Sequence, residues 1–171
     1  MKKKIKNEIK DKVIGAFLGG AIGDALGMSV ETFSAEKIAE KYGRVTDYLT
    51  PDGHKWFDGE EAGTTTDDTQ LTIAVAEAMI AFPFDMDSQA ELHKEAFRDG
   101  TSGWGRSTKE SVRSLCNGAS WKNSATSTGL GNGVAMKVSS LGLLSPQFLF
   151  KDDADSLFVK DLTFMTHKTD L

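Results

Sequence analysis

The sequence predicts an all-α fold, and three observations support that prediction. Near the N-terminus, apolar residues recur every four positions, at Ile5, Ile9, Val13 and Phe17. A second stretch with helical apolar spacing covers residues 67–82, and only residues 45–49 offer a weak strand pattern. The chain has 171 residues, of which 39% are hydrophobic and 26% charged, so it is long enough to bury a core. We therefore expect a compact multi-helix fold forming one domain over residues 1–171.

The first predicted helix begins in the lysine-rich N-terminal segment and ends near Gly27. Four of its glycines fall at i+4 spacing on one side: Gly15, Gly19, Gly23 and Gly27. A glycine inside a helix costs roughly 1 kcal/mol relative to alanine, so four on one face need a reason. Two reasons remain open, namely close approach of a ligand or another backbone, and tight helix–helix packing alone.

A long loop and a strong helix follow in the middle of the chain. Residues 43–65 combine turn-forming sequences with little periodicity, which predicts a loop. A loop of that length in a compact domain is often functional. A helix is then predicted from Asp67 to Phe82 and ended by Pro83. Its apolar face consists of Leu71, Val75, Ala78, Met79 and Phe82.

Four further helices are predicted in the second half. Two capping-box pairs, Ser88 with Glu91 and Ser107 with Glu110, each start a helix that ends at a glycine. A loop rich in Ser, Thr, Gly and Asn covers residues 119–133. The predicted helices span residues 88–100, 107–117, 132–143 and 153–165.

Charge is unevenly distributed along the chain, whose net charge is −5. Residues 51–100 have a net charge of −9, whereas the segments on either side each have +2. No broad basic face is visible, which argues against a nucleic-acid partner. The acidic middle is either a solvated surface or a site for divalent cations, which prefer carboxylate oxygens. The single cysteine, Cys116, excludes an intramolecular disulfide and is expected to be a small packing residue.

The N-terminus has the outline of a secretory signal peptide, because six lysines precede the apolar run Val13–Gly23. Glu8 and Asp11 interrupt the basic region, however, and glycines make the apolar run weakly hydrophobic. The run is also shorter than the roughly 20 residues that cross a bilayer. We expect a cytoplasmic protein with no membrane partner.

The strongest chemical motif is Thr64-Thr65-Thr66-Asp67-Asp68-Thr69, which lies at the start of the predicted helix over residues 67–82. Threonine can cap a helix and aspartates complement its dipole, which is one explanation. The other is a metal site, because a hydroxyl and adjacent carboxylates suit Mg²⁺ or Mn²⁺.

Two further segments complete the candidate site. Glu31 lies just past the predicted end of the first helix, where it is either a surface glutamate or a carboxylate that acts on water. Gly131-Asn132-Gly133 opens a predicted helix, and backbone N–H groups at such a turn can bind phosphates. A flexible loop is the alternative for that segment.

Taken together, these motifs resemble the ADP-ribosylglycohydrolase family, which includes the dinitrogenase-reductase-activating glycohydrolases. They occur in family order across nearly the whole chain. The matching segments are residues 15–27, Glu31, residues 63–69, Gly103-Trp104-Gly105, residues 131–137, residues 141–144 and Thr166-His167.

The resemblance implies an all-α hydrolase with a binuclear Mg²⁺ or Mn²⁺ site. Its reaction would be hydrolysis of the N- or O-glycosidic bond between ADP-ribose and a modified protein side chain. By the same resemblance, the metal ligands are Thr66, Asp67 and Asp68, the catalytic residues are Glu31 and Asp67, and the ADP-ribose ligands are Gly131, Asn132, Gly133 and His167.

Two departures from the family pattern qualify this prediction. Lys137 stands where the family has arginine, which keeps the charge but loses the planar fork. The family also completes its metal site with a later Asp-x-Asp-Thr/Ser motif. The local strings 85–88 and 153–156 have that spacing, and each precedes a helix, so helix capping is their simpler explanation and a substitute ligand set is the alternative.

We therefore expect a truncated relative, with the C-terminal part of the family domain absent and weak or no activity of its own. The expected partners are an ADP-ribosylated protein or ADP-ribose, with a complementing polypeptide or self-association to complete the site. The alternative is a non-catalytic ADP-ribose-binding or interaction remnant of the family.

Three other side chains receive only structural predictions. His54 lies in a polar loop and His93 on a helix between charges, so both are expected to face solvent. Trp104, between two glycines, is expected either to line a ligand cleft or to anchor its loop.

Overall fold

The computed structural model describes residues 2–82, 85–125, 129, 131–144 and 153–168. Over these residues the secondary structure is helical with no β-strand, which confirms the all-α prediction and removes the strand candidate at 45–49. The helices are α1 (Lys2–Met28), α2 (Ala35–Tyr42), α3 (Asp67–Ala81), α4 (Met86–Asp99), α5 (Arg106–Cys116), α6 (Ser139–Leu144) and α7 (Asp153–Thr166), with a 3₁₀ turn at Trp121–Asn123.

The chain divides into two compact units between Thr66 and Asp67. The first holds α1, α2 and the long loop, and the second holds α3 to α7. The single domain over residues 1–171 stays a prediction. Among the described residues, none of the helices combines the length and the hydrophobicity that a membrane-spanning helix requires.

In the first unit, α1 begins in the lysine-rich segment and ends at Met28, close to its predicted end. A Cβ added at any of the four glycines spaced i+4 along α1 would meet no described atom within 4 Å. Neither ligand approach nor tight helix packing therefore gains support as the reason for these glycines. The helix α2 was not predicted. It begins after Ser34, whose hydroxyl accepts a 3.2 Å hydrogen bond from the Lys37 N–H and caps the helix.

The second unit has its own hydrophobic core, formed mainly by α3, α4, α5 and α7. Helix α3 packs against α4 and α6, and α4 packs against α5 and α7. The predicted apolar face of α3 is buried through Met79, whereas Phe82, just past the helix end, is 62% exposed. Truncating a fully buried residue such as Leu71 to alanine would cost about 2–5 kcal/mol, so this face is what fixes α3 in the unit.

Several helix boundaries differ from the prediction because other residues supply the caps. Helix α4 begins at Met86, since the Asp85 carboxylate, not Ser88, caps it by accepting from the Ser88 N–H at 2.9 Å. Gly105 precedes α5, with no side-chain cap. The predicted Ser107 box is therefore wrong as the start of that helix. Pro83 lies outside the described residues.

In the second half of the chain, the structure contradicts one expectation and confirms another. Cys116, at the end of α5, is exposed, so the prediction that it packs inside is wrong. The last helix is confirmed, because α7 spans Asp153–Thr166 against a predicted span of 153–165.

Candidate functional site

The acidic motif lies where the sequence predicted it, at the start of α3. Thr66 directly precedes the helix, and Asp67 and Asp68 form its first turn, where negative charge complements the helix dipole. Thr66 is 8% exposed and Asp67 only 6%, whereas Asp68 is half-buried. A carboxylate as buried as Asp67 needs specific partners, because burying an ion without them is costly.

Thr66 is held by Asp24 of α1, within the first unit. The Asp24 carboxylate accepts two hydrogen bonds of 2.8 Å, one from the Thr66 backbone N–H and one from its hydroxyl. Because the hydroxyl gives its only proton to Asp24, Thr66 Oγ1 can meet any further partner only through its lone pairs. The family resemblance covers the segment around Asp24, but it predicts no role for this carboxylate.

Asp67 is contacted by the loop that precedes α5. The Gly105 N–H donates to Asp67 Oδ2 at 3.3 Å. The neighbouring Trp104 is 5% exposed, and its indole N–H donates to Gln70 Oε1 at 2.6 Å. Its ring also meets the edge of Phe97, with 5.6 Å between the ring centroids. Of the two predictions for Trp104, the structure supports the anchor, which fixes the loop beside Asp67.

A threonine one turn along α3 links this helix to the glycine-rich segment. Thr72 Oγ1 lies 2.6 Å from the Asp68 carbonyl oxygen and 3.0 Å from that of Met136. A single hydroxyl proton is shared between these two acceptors. The start of α3 and the segment 131–138 are therefore joined through one side chain.

The segment 131–138 is a series of turns, and α6 begins only at Ser139. The helix predicted from residue 132 is therefore wrong over its first half. The turns are closed by backbone hydrogen bonds such as Met136 N–H to the Asn132 carbonyl, 3.1 Å. They are also fixed by Thr72, which the sequence pattern does not reveal.

Two of the four predicted ADP-ribose residues meet in the structure. A Cβ added at Gly133 would lie 2.7 Å from His167 Cε1 and 2.7 Å from Thr108 Oγ1, so this position needs glycine for packing. Gly131 and Asn132 are exposed on the same turn, whereas Gly133 and His167 are buried. Whether these residues bind ADP-ribose stays a prediction.

Behind this turn lies a buried polar network that the sequence did not predict. The Lys137 amine is 3.3 Å from His93 Nε2 and 3.2 Å from the Thr166 hydroxyl, and all three residues are fully buried. His93 Nδ1 lies 2.7 Å from the Gln89 carbonyl oxygen. Since a carbonyl only accepts, Nδ1 bears the proton and Nε2 accepts from Lys137.

Burial sets the protonation of this network. Desolvation lowers the pKa of Lys137 to about 7, although the nearby Asp67 carboxylate opposes the change. Desolvation and the Lys137 charge hold the pKa of His93 well below its usual range. The same two causes lower the pKa of His167. Both histidines are therefore neutral near pH 7.

The solvent-facing prediction for His93 is wrong. It lies on the inner face of α4, in helical register with the buried Ala90 and Ala96. That spacing was visible in the sequence and could have revealed its burial.

In the first unit, Glu31 lies in the turn that follows α1, as predicted. Its side chain is exposed, whereas Met28 and Ser29 just before it are buried. His54 is only 3% exposed, so the expectation that it faces solvent is wrong, and its ring contacts the Glu31 backbone.

Of the two acidic strings with Asp-x-Asp-Ser spacing, only residues 85–88 have side chains that the structure describes. Asp85 caps α4, as the capping explanation requires, and its hydrogen bonds with Ser88 lower its pKa. The side chains of residues 153–156 lie outside the described residues. Among the side chains that the structure does describe, no three His, Cys, Asp or Glu residues are grouped closely enough to hold a metal ion.

Comparison with known proteins shows the family. A family model for ADP-ribosylglycohydrolase matches residues 5–170. An uncharacterized protein of Archaeoglobus fulgidus is 34% identical over 120 residues, covering 68% of this chain and 37% of that protein. A solved structure described as an ADP-ribosylglycohydrolase-related protein complex is 26% identical, with a TM-score of 0.68 over 95% of this chain and 51% of that one. The chain thus spans between about a third and a half of the length of these relatives. This chain belongs to the ADP-ribosylglycohydrolase family.

Proposed function

We propose that this chain acts on ADP-ribose linked to a protein side chain, with a Mg²⁺ or Mn²⁺ site at the start of α3. In the proposed reaction, water adds to the anomeric carbon of the ribose and the glycosidic bond to the side chain breaks. The leaving side chain takes up a proton. Family membership suggests a glycohydrolase, and the substrate and the metal are our proposals.

The observation that best supports the site is the pairing of Asp24 with Thr66. A threonine hydroxyl that donates to a carboxylate presents only lone pairs to any other partner. Beside it in sequence, Asp67 and Asp68 add carboxylate oxygens, and such a donor set suits hard cations. Thr66, Asp67 and Asp68 would hold the ion, which when bound would orient ribose hydroxyls and water. A second ion, as in a binuclear site, needs ligands beyond these three.

The other predicted residues receive complementary roles in the proposal. The Glu31 carboxylate would stabilise positive charge on the ribose or accept a proton from the attacking water. The turn at Gly131–Gly133 and the imidazole of His167 would contact the ADP-ribose, and the packing of Gly133 against His167 keeps those two contacts adjacent.

The proposed partner is an ADP-ribosylated protein, and we propose a cytoplasmic location. Because the chain spans about half of the matched solved structure, a complementing polypeptide or a second copy of the chain could supply further ligands. Neither partner is a nucleic acid in this proposal.

The test is release of ADP-ribose from an ADP-ribosylated protein by this chain in Mg²⁺. We expect weak, metal-dependent release that Glu31→Gln abolishes and Glu40→Gln, an exposed control on α2, leaves unchanged. Binding of ADP-ribose without any release would favour the alternative, a binding module of the family. Release that persists in EDTA would contradict the metal site.

A further inference from the structure

His54 makes an unusual pair of hydrogen bonds for a residue in a polar loop. Its Nε2 lies 3.0 Å from the Glu31 carbonyl oxygen, and the Trp56 backbone N–H donates to its Nδ1 at 3.3 Å. Since a backbone N–H only donates, Nδ1 is the acceptor and Nε2 bears the proton. The neutral ring therefore donates to the Glu31 carbonyl across 23 residues of sequence.

Aromatic side chains hold this ring in place. Phe57 is 1% exposed and stacks on His54, with 4.9 Å between the ring centroids and 26° between the planes. Phe33 lies on the ring as well, at 5.2 Å. The imidazole is itself 3% exposed, so it has little freedom to turn away from the Glu31 carbonyl.

The turn over residues 29–32, called the Glu31 turn from here, needs such support. Thr32 has φ of 61°, a left-handed conformation that is uncommon for a β-branched residue. The Glu31 N–H reaches the Met28 carbonyl at 3.4 Å, which is a long hydrogen bond. A backbone held in this way persists only where its surroundings fix it.

We propose that His54 is a positioning residue that fixes the Glu31 turn by donating its Nε2 proton to the Glu31 carbonyl. His54 thereby sets the direction in which the Glu31 carboxylate leaves the backbone. The effect of His54 on catalysis rests on the proposed function, whereas its role in fixing the conformation of the Glu31 turn is independent of that function.

The first test measures hydrogen exchange of the backbone amides by NMR in His54→Phe and His54→Gln. Phenylalanine keeps a ring for stacking but has no donor, and glutamine places an amide N–H near the position of Nε2. We expect exchange of the Phe33 amide, which donates to the Val30 carbonyl at 3.0 Å, to quicken roughly two- to tenfold in His54→Phe. His54→Gln should stay near wild type, and so should the buried segment of α3 in both variants. Unchanged exchange in His54→Phe, or an equal increase in both variants, would overturn the proposal.

A second measurement keeps the proposal testable if His54→Phe does not fold. The ¹⁵N spectrum of the wild-type imidazole reports which nitrogen bears the proton. We expect the Nε2–H form, and a ring protonated at Nδ1 would overturn the proposal.

The kinetic arm separates positioning from a purely structural role. If the chain releases ADP-ribose, kcat of His54→Phe should fall on the order of 10-fold or more with KM nearly unchanged, and His54→Gln should recover most of it. A parallel rise in KM, or a loss that follows thermal stability alone, counts against positioning. If wild-type protein releases no ADP-ribose, the proposed function fails, while the exchange measurement still decides whether His54 holds the turn.

Discussion

Gly133→Ala tests the packing at the centre of the second unit. The new Cβ would lie 2.7 Å from both His167 Cε1 and Thr108 Oγ1, whereas ordinary contacts begin at 3.4 Å. Either the backbone at residue 133 or the His167 and Thr108 side chains must therefore move by about 0.7 Å, the difference between 3.4 and 2.7 Å. His167 is buried, and its Nδ1 is 3.0 Å from the Thr166 hydroxyl, so it cannot move without disturbing the buried network.

Overpacking of this kind costs about 1–3 kcal/mol, which for a chain of 171 residues lowers Tm by about 2–12 °C. Gly131→Ala is the matched control on the same turn, because the added methyl would meet no atom of the described residues within 4 Å. Both variants are compared by thermal unfolding followed by circular dichroism. Equal Tm values for the two variants would refute the packing argument.

Three other variants extend the account. Asp24→Asn should lower the free energy of unfolding by about 1–3 kcal/mol, because the Asn amide cannot accept both hydrogen bonds from Thr66. Asp11→Asn, an exposed control on the same helix, should leave the free energy of unfolding unchanged. Urea unfolding of both variants measures the difference. Lys137 has its pKa lowered to about 7 from 10.5, so the unfolded chain binds more protons between these values and stability should rise with pH there. In Lys137→Met, the slope of unfolding free energy against pH, measured between pH 7.5 and 9.5, should be smaller than in the wild type by as much as about 1.4 kcal/mol per pH unit. A slope equal to that of the wild type would contradict a neutral buried amine. Trp104→Phe loses its indole hydrogen bond and should cost about 1–2 kcal/mol in the same urea assay, and no loss would show that the anchor is unimportant.

Local sequence patterns were sufficient for much of the fold. Helices α1 and α3 follow from apolar residues that recur at the helical period. The order of motifs was likewise sufficient to identify the family. The acidic motif also lies at the helix start where its sequence placed it.

Contacts between distant residues could not be predicted in the same way. The turns over 131–138 replace a predicted helix partly because Thr72, about sixty residues earlier in the chain, bonds to Met136. The burial of His54 depends on Phe33 and Phe57, which lie on different parts of the first unit. Contacts between distant residues do not change the local pattern of apolar and polar residues. Local patterns therefore predict that a polar residue such as His54 is exposed even where distant partners bury it.

The network around Lys137 shows what the sequence reveals and what it does not. The replacement of the family's arginine by Lys137 is visible in the sequence, which indicates only that the planar fork is lost. The structure adds that the amine is fully buried between His93 and Thr166. A compact amine that sheds its proton near pH 7 fits a buried site at which a permanently charged guanidinium would need a fixed counter-ion.

The central claim is that the start of α3 holds a divalent cation needed for ADP-ribose binding. Calorimetric titration of ADP-ribose into the chain, with Mg²⁺ and with EDTA, tests it directly. Wild type and Asp87→Asn, an exposed control on α4, should bind only with Mg²⁺, and the double variant Asp67→Asn, Asp68→Asn should not bind. Equal binding in EDTA, or unchanged Mg²⁺-dependent binding by the double variant, would contradict the account.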